Sequence, residues 1–290
     1  MTAAPDDVVL ARFGIDATAR LGGGGEADVY ALDDDRVLRV PRSAVTEEAL
    51  DARRALIDAI GVPLAYALPE VLEHVDVDGR TVVVERRLAG RNALDVLGEP
   101  GIDREALVRS HLDAAASIAG LPCPVDTFGE VWGEGGRTAD SFATWSLDRL
   151  GASLAVAGSA FSHVDARSTT DDLVRALPEA EPPAPVLVHL DAYLGNMLAE
   201  GDRITAVLDF GPMTVGGPRH LDPLVAVAYL TPEITPTSTQ ADRAVAEQWL
   251  AERDLQDALG PAERWIATYW TGAPDDERLR RWCRRILGAA

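Results

Sequence analysis

Two hydrophobic periods alternate along this chain, and the change from one to the other divides it. Near the start, Pro5-Asp6-Asp7 ahead of Val8-Val9-Leu10 and Phe13 predicts a short capped helix. Leu21, the glycines Gly22 to Gly25 and Glu26-Ala27-Asp28 then lead into Val29-Tyr30-Ala31-Leu32. After the turn cluster Asp33-Asp34-Asp35, the alternation of Arg36-Val37-Leu38-Arg39-Val40 is that of a strand, so a glycine loop feeding a hairpin is expected. Thr46 to Ile60 carries Ala49, Leu50, Ala52, Leu56, Ile57 and Ile60 at helical spacing, with Gly61 as its stop. Asp78-Gly79 between Pro69–Val75 and Thr81–Glu85 is a strong signal for a second hairpin. Residues up to about 85 therefore form a small sheet-rich unit with one main helix, and Glu85 to Asn92 is the expected connection.

From Asp103 the period changes to that of helices, over Asp103–Leu121, Asp140–Leu154 and Thr170–Leu177. Pro182-Pro183-Ala184-Pro185 breaks the series ahead of the apolar Val186-Leu187-Val188. Ser238 to Ile286 again reads as amphipathic helices, with Trp249, Trp265, Trp270 and Trp282 spread along them as core residues.

The 290 residues suit one large domain or two lobes, each able to bury its own core. With 47% hydrophobic and 26% charged residues, disorder over most of the chain is excluded. The formal net charge of −20 argues against a nucleic-acid partner, which calls for a basic face. It favours a cationic small molecule, although solubility alone also accounts for it. There is no lysine, so all 27 basic residues are arginine. Cys123 and Cys283 lie too far apart in sequence for a C-x-x-C pair or a disulfide framework. The first residues lack the basic and apolar segments of a signal peptide, and no apolar run reaches the roughly 20 residues of a membrane span. A reduced, cytoplasmic protein, monomeric or weakly dimeric and without a membrane partner, is the expectation.

The chemistry concentrates in Val188-His189-Leu190-Asp191-Ala192-Tyr193-Leu194-Gly195-Asn196-Met197-Leu198 and in Ile204 to Gly211. Two short apolar strands flank a polar turn here. Asp191 and Asn196 stand five apart across a loop containing Gly195, and Asp209 ends the next strand directly before Phe210-Gly211. Two carboxylates and an amide converging from one hairpin suit Mg²⁺, a hard cation that keeps its other positions for phosphate and water.

This H-x-D-x-x-x-x-N followed by D-F-G, behind a glycine-rich hairpin, resembles the protein-kinase-like phosphotransferases. Among them it is most similar to the aminoglycoside phosphotransferase family of antibiotic and small-metabolite kinases, over about Leu21 to Tyr229. The family's H-G-D is His189-Leu190-Asp191 here. The resemblance implies an α+β, two-lobed protein-kinase-like fold. Its small β-rich nucleotide-binding lobe would span 1–88, its hinge about 85–92, and its larger α-helical catalytic and acceptor-binding lobe 93–290.

For the site, the resemblance implies Asp191 as the residue that orients the acceptor hydroxyl and takes its proton, with Asn196 and Asp209 holding Mg²⁺. ATP or GTP would lie under Gly23, Gly24 and Gly25, with Arg39 at the family's lysine position on the α- and β-phosphates. A carboxylate on the following helix, Glu48 ahead of Glu47 and Asp51, would pair with Arg39. The hinge near Glu85 to Leu88 would read the adenine through its backbone, between apolar walls from Leu21, Val29, Val37, Leu198 and Leu208; the same five also suit a plain core. His189 and Asp222 are expected to be structural, and Glu130, Glu134 and Asp140 to meet an ammonium group of the acceptor or simply to form a solvated acidic loop.

The implied activity is transfer of a nucleotide γ-phosphoryl group to a hydroxyl of a small polar molecule, aminoglycosides being the first guess. A protein-kinase role is disfavoured by the lack of an A-P-E segment after Gly211. Arginine is permanently charged and contacts phosphate in bidentate fashion, so Arg39 meets the charge requirement with a different length and shape. A nucleotide-binding pseudokinase acting as sensor or scaffold is the alternative.

Overall fold

The computed structural model describes residues 6–23, 27–42, 47–59, 64–131, 136–178, 184–273 and 276–288. The chain divides into two compact units, Met1–Gly61 with Ala67–Ala89, and Val62–Tyr66 with Gly90–Ala290.

The first unit is built on an antiparallel five-stranded sheet, order β1-β2-β3-β5-β4. Its strands are β1 (Arg20–Gly23), β2 (Ala27–Ala31), β3 (Arg36–Pro41), β4 (Val71–Val77) and β5 (Arg80–Arg86). Strand alternation sorts side chains onto two faces. Leu38 and Val40 of β3, Tyr30 of β2 and Val82 and Val84 of β5 share one face. They bury Val9 and Leu10 of helix α1 (Asp6–Arg12). On the other face, Val83 and Val71 receive Leu50 of helix α2 (Glu47–Ala59). Asp78 takes φ +50° and Gly79 +82° in the tight turn between β4 and β5, the left-handed pair an Asp-Gly turn supplies cheaply. The strand at Arg20–Gly23 is not anticipated by the sequence pattern. Gly22 and Gly23 pair with Val29 and Asp28, because backbone pairing needs no side chain, and the ladder slips between Arg20 and Gly22.

The second unit carries helices α3 (Ala93–Leu97), α4 (Arg104–Ser117), α5 (Phe142–Ala157), α6 (Ala166–Ala176), α7 (Leu221–Ala228), α8 (Gln240–Ala251), α9 (Gln256–Trp270) and α10 (Glu277–Leu287). Two small sheets accompany them, with orders β11-β10-β6 and β8-β7-β12-β9. Their strands are β6 (Arg91–Asn92), β7 (Phe128–Glu130), β8 (Thr138–Ala139), β9 (Val186–Val188), β10 (Met197–Glu200), β11 (Arg203–Val207) and β12 (Val215–Gly217). Asp103, Ser141, Asp165, Thr239 and Asp276 each cap a helix start with a side-chain oxygen, worth about 1 kcal/mol apiece. Trp145, Trp249, Trp265 and Trp282 are fully buried, while Trp270 is only partly so. Every residue of α7 is buried, which fits a helix apolar on all sides. Gly129 on β7 has φ +125°, and a Cβ there would lie 2.2 Å from the Arg137 carbonyl and 2.7 Å from the Trp145 ring, so only glycine fits. Among the described residues, no helix is long and apolar enough to cross a membrane.

Candidate active site

In the second unit, β9 delivers His189, Leu190 and Asp191 to a turn that ends in a short 3₁₀ stretch, Leu194–Asn196, before β10. Asn196 Nδ2 donates to both the carbonyl oxygen (3.0 Å) and Oδ2 (2.8 Å) of Asp191. With its NH₂ so engaged, the amide keeps Oδ1 as its acceptor for a cation. The Leu208 N–H donates to the Asn196 carbonyl at 2.8 Å, which sets the adjacent Asp209 beside Asn196 across the hairpin of β10 and β11. Asp209 has φ +64°, a region that aspartate and asparagine tolerate better than most residues. The structure thus brings Asp191, Asn196 and Asp209 into one corner. Two oxygen ligands from the chain suit Mg²⁺, which shares its sphere with phosphate and water. Among the described residues, no group of three or more His, Cys, Asp or Glu is placed to hold a metal ion.

The turn is held from several sides. Buried Asp222, in the first turn of α7, accepts the His189 N–H through Oδ2 and the Leu190 N–H through Oδ1, both at 2.8 Å. His189 Nδ1 accepts the Asp191 N–H at 3.2 Å, so the proton of a neutral ring sits on Nε2, which donates to the Leu208 carbonyl at 2.7 Å. That bond ties the loop to the residue preceding Asp209, and the ring meets Phe210 edge-on at 4.7 Å. Both ring nitrogens of His189 are thereby engaged by backbone groups of the loop and the hairpin.

Several supporting residues have no sequence signature. His111 on α4 bonds the Ala192 carbonyl at 2.9 Å. Asn92 donates to the Gly195 carbonyl at 2.8 Å and accepts the Leu94 N–H, capping α3. Tyr193 lies flat across Gly195, where a Cβ would come within 2.4 Å of its ring and hydroxyl. Burial, reinforced by the charges of Asp191, Asp209 and Asp276, pushes the Tyr193 phenol up to about 12. Tyr269 is raised mainly by burial, with Glu130 and Asp191 both adding to it. Arg149, whose guanidinium lies 4.0 Å from the Tyr269 ring centroid, acts against them, so acidic and basic groups share this neighbourhood. Asp140 is exposed, and Glu134 lies outside the described residues.

Leu198 on β10 pairs with Asn92 and Ala206 and is half-buried. In the first unit, Arg39 pairs with Val29 on β2 and Val83 on β5, while Val37 pairs with Glu85. Alternation puts Arg39, Val29, Val37 and Glu85 on the sheet face that receives Leu50 of α2. Gly23 ends β1, Leu88 follows β5 in irregular chain, and Glu48 is in the first turn of α2 with its side chain outside the described residues. Gly24 and Gly25 also lie outside them.

Residues 18–282 match the model of the APH phosphotransferase enzyme family. The chain belongs to this family. Its fold is accordingly the two-lobed, protein-kinase-like α+β one, with a β-rich N-terminal lobe and a larger helical C-terminal lobe. Similar solved structures include a thermostable mutant of aminoglycoside phosphotransferase APH(4)-Ia with ADP and hygromycin B. It shares 19% identity over 97% of this chain and 96% of that one, with a TM-score of 0.63. The gentamicin complex of APH(2'')-IIa gives 15% identity, 100% and 98% coverage and a TM-score of 0.61. The GDP and kanamycin complex of APH(2'')-IIia gives 14%, 93% and 91%, and 0.58. Among curated proteins, none matches this phosphotransferase.

Two buried groups of the phosphotransferase's loop scaffold give a pH prediction. Burial lowers His111 from 6.5 to about 4, so its contribution to stability is present above about pH 6.5 and is lost as pH falls towards 4. Burial raises Asp222 from 3.8 to about 7 against its two backbone hydrogen bonds, so its contribution is present below about pH 4 and is lost as pH rises through 7. The two shifts act with opposite sign in the same window. In urea denaturation, the stability advantage of the parent over His111→Gln is expected to grow from pH 4 to 7, while its advantage over Asp222→Asn shrinks. Parallel curves for the two variants would refute the assignment.

Proposed function

We propose that this phosphotransferase moves the γ-phosphoryl group of ATP or GTP to a hydroxyl of a small, polar, cationic molecule, with aminoglycosides as the first class to test. The observation that carries the reading is the hydrogen bond that Asn196 Nδ2 donates to the Asp191 carboxylate, with Asp209 set beside it by the Leu208–Asn196 backbone hydrogen bond.

In this reading Asp191 accepts a hydrogen bond from the acceptor hydroxyl, orients its oxygen, and takes its proton as the new P–O bond forms. A weakly basic carboxylate is sufficient, because a loose transition state demands positioning and charge stabilisation more than deprotonation. Asn196 Oδ1 and the Asp209 carboxylate would hold Mg²⁺, which would neutralise charge on the phosphate oxygens. By the family resemblance, Gly23, Gly24 and Gly25 would cover the phosphates, Arg39 would contact the α- and β-phosphates, and Glu48 would pair with Arg39. Glu85 to Leu88 would read the base through the backbone, and Leu198 would offer it an apolar surface. The chain's formal net charge of −20 favours an ammonium-bearing acceptor. The nucleotide complexes of the similar APH(4)-Ia and APH(2'') structures, with both ADP and GDP among them, support the nucleotide and leave its base open.

The test combines purified protein, Mg²⁺, ATP or GTP and a panel of hydroxylated acceptors. Nucleoside diphosphate release that requires an acceptor, and an acceptor mass raised by one phosphate, support the assignment. Nucleotide binding without turnover on any acceptor favours a pseudokinase sensor or scaffold instead. Arg39→Lys is expected to retain or improve nucleotide affinity, whereas Arg39→Ala weakens it on the order of tenfold or more, since a charge-assisted hydrogen bond is worth about 1.5–3 kcal/mol. Unchanged affinity in the alanine variant, measured by titration, removes Arg39 from the phosphates.

A further inference from the structure

Leu190, directly before Asp191, is fully buried and has φ +61°. A leucine side chain crowds the following carbonyl in that region, whereas glycine adopts it freely. Such strain persists only where the surroundings over-determine the backbone. Here both backbone polar groups of Leu190 are gripped. Its N–H donates to Asp222, and its carbonyl accepts the Tyr229 hydroxyl at 3.2 Å. Behind that hydroxyl, Trp270 Nε1 donates to the Tyr229 oxygen at 2.7 Å. An indole is a donor only, so the direction of the chain is settled: Trp270 gives to Tyr229, and Tyr229 gives to Leu190. The Tyr229 ring is fixed edge-on by Tyr193 at 6.2 Å and Trp282 at 5.9 Å.

We propose that Tyr229 and Trp270 are positioning residues, which hold Leu190 in its left-handed backbone and thereby aim the Asp191 carboxylate. The role in turnover rests on the reading of Asp191 given above. Neither residue touches a reacting atom. They act through one carbonyl, and they matter because the position carries leucine instead of glycine.

The test is a set of double-variant cycles with two readouts. Tyr229→Phe keeps the ring and deletes its donor, and Trp270→Phe deletes the indole donor and leaves a smaller ring. Both are expected to lower kcat about tenfold while nucleotide KM stays within about twofold. In the Leu190→Gly background, where the backbone needs no clamp, Tyr229→Phe should cost less than about threefold. In the Leu190→Ala background, which loses the same bulk but keeps the demand, the full loss should return. The thermal unfolding midpoint follows the same cycle, Tyr229→Phe lowering it less than half as much beside glycine as beside leucine or alanine. Asparagine, which tolerates positive φ, replaces glycine should Leu190→Gly not fold.

Equal losses in all backgrounds would overturn the proposal, as would midpoint shifts with kcat unchanged. Full turnover in Asp191→Ala would instead sink the role of Asp191, and the unfolding cycle would then decide the clamp by itself.

Discussion

Asp191→Ala is expected to lower kcat for acceptor phosphorylation on the order of 10²- to 10⁴-fold, the usual worth of a positioned general base. The structure makes this a clean substitution. Asn196 Nδ2 also donates to the Asp191 backbone carbonyl, at 3.0 Å, and that bond survives removal of the side chain. Its Oδ1 therefore keeps its direction, and nucleotide affinity should stay within about threefold. The loop is likewise pinned through backbone groups of residues 189 and 190, which alanine at 191 leaves alone. Steady-state kinetics with nucleotide and acceptor varied in turn checks both halves. A loss smaller than tenfold would show that the carboxylate does not take the proton.

Asp209→Asn has the second large effect. Asparagine tolerates φ +64° at least as well as aspartate, so the turn is preserved and only the charge is lost. Substituting residues that merely support a metal ligand costs about 10–100-fold in metal affinity or activity. A direct ligand should cost at least that, so a fall in turnover of about a hundredfold or more is expected at limiting Mg²⁺. The concentration of Mg²⁺ for half-maximal turnover should rise, and affinity for nucleotide measured with chelator present should not change. Equal losses with and without the metal would argue against Asp209 as a ligand.

Much of this was legible in the chain. Helical periodicity located Arg104–Ser117 and Phe142–Ala157, because each buries one stripe, and marked Ser238 to Ile286 as helical without dividing it. The loop from His189 to Asn196 and the Asp209-Phe210-Gly211 end stood out because their spacing is local, a few residues on one hairpin. What escaped notice acts across distance and mostly on backbone atoms. His111 is 81 positions from Ala192, and Asn92 is 103 from Gly195. No residue type or spacing announces a bond to a remote carbonyl. The two- and three-residue strands at Arg91–Asn92, Thr138–Ala139 and Val215–Gly217 are too short to show a period. Leu190 was visible as a departure from H-G-D, but nothing near it in sequence pointed to Tyr229 and Trp270.

Helix α7 carries both grips on that loop, Asp222 in its first turn and Tyr229 at its end. Seven residues make almost two full turns, so the two anchors emerge on one side of the rod, about 10 Å apart along its axis. Between its anchors the rod is apolar all round and can exchange one hydrophobic residue for another of like volume at small cost. It cannot change length: one residue inserted or removed swings the far anchor by about 100°. Evolutionary drift should therefore rewrite the letters between Asp222 and Tyr229 freely and leave their count untouched, as a gauge block keeps its dimension whatever alloy it is cut from.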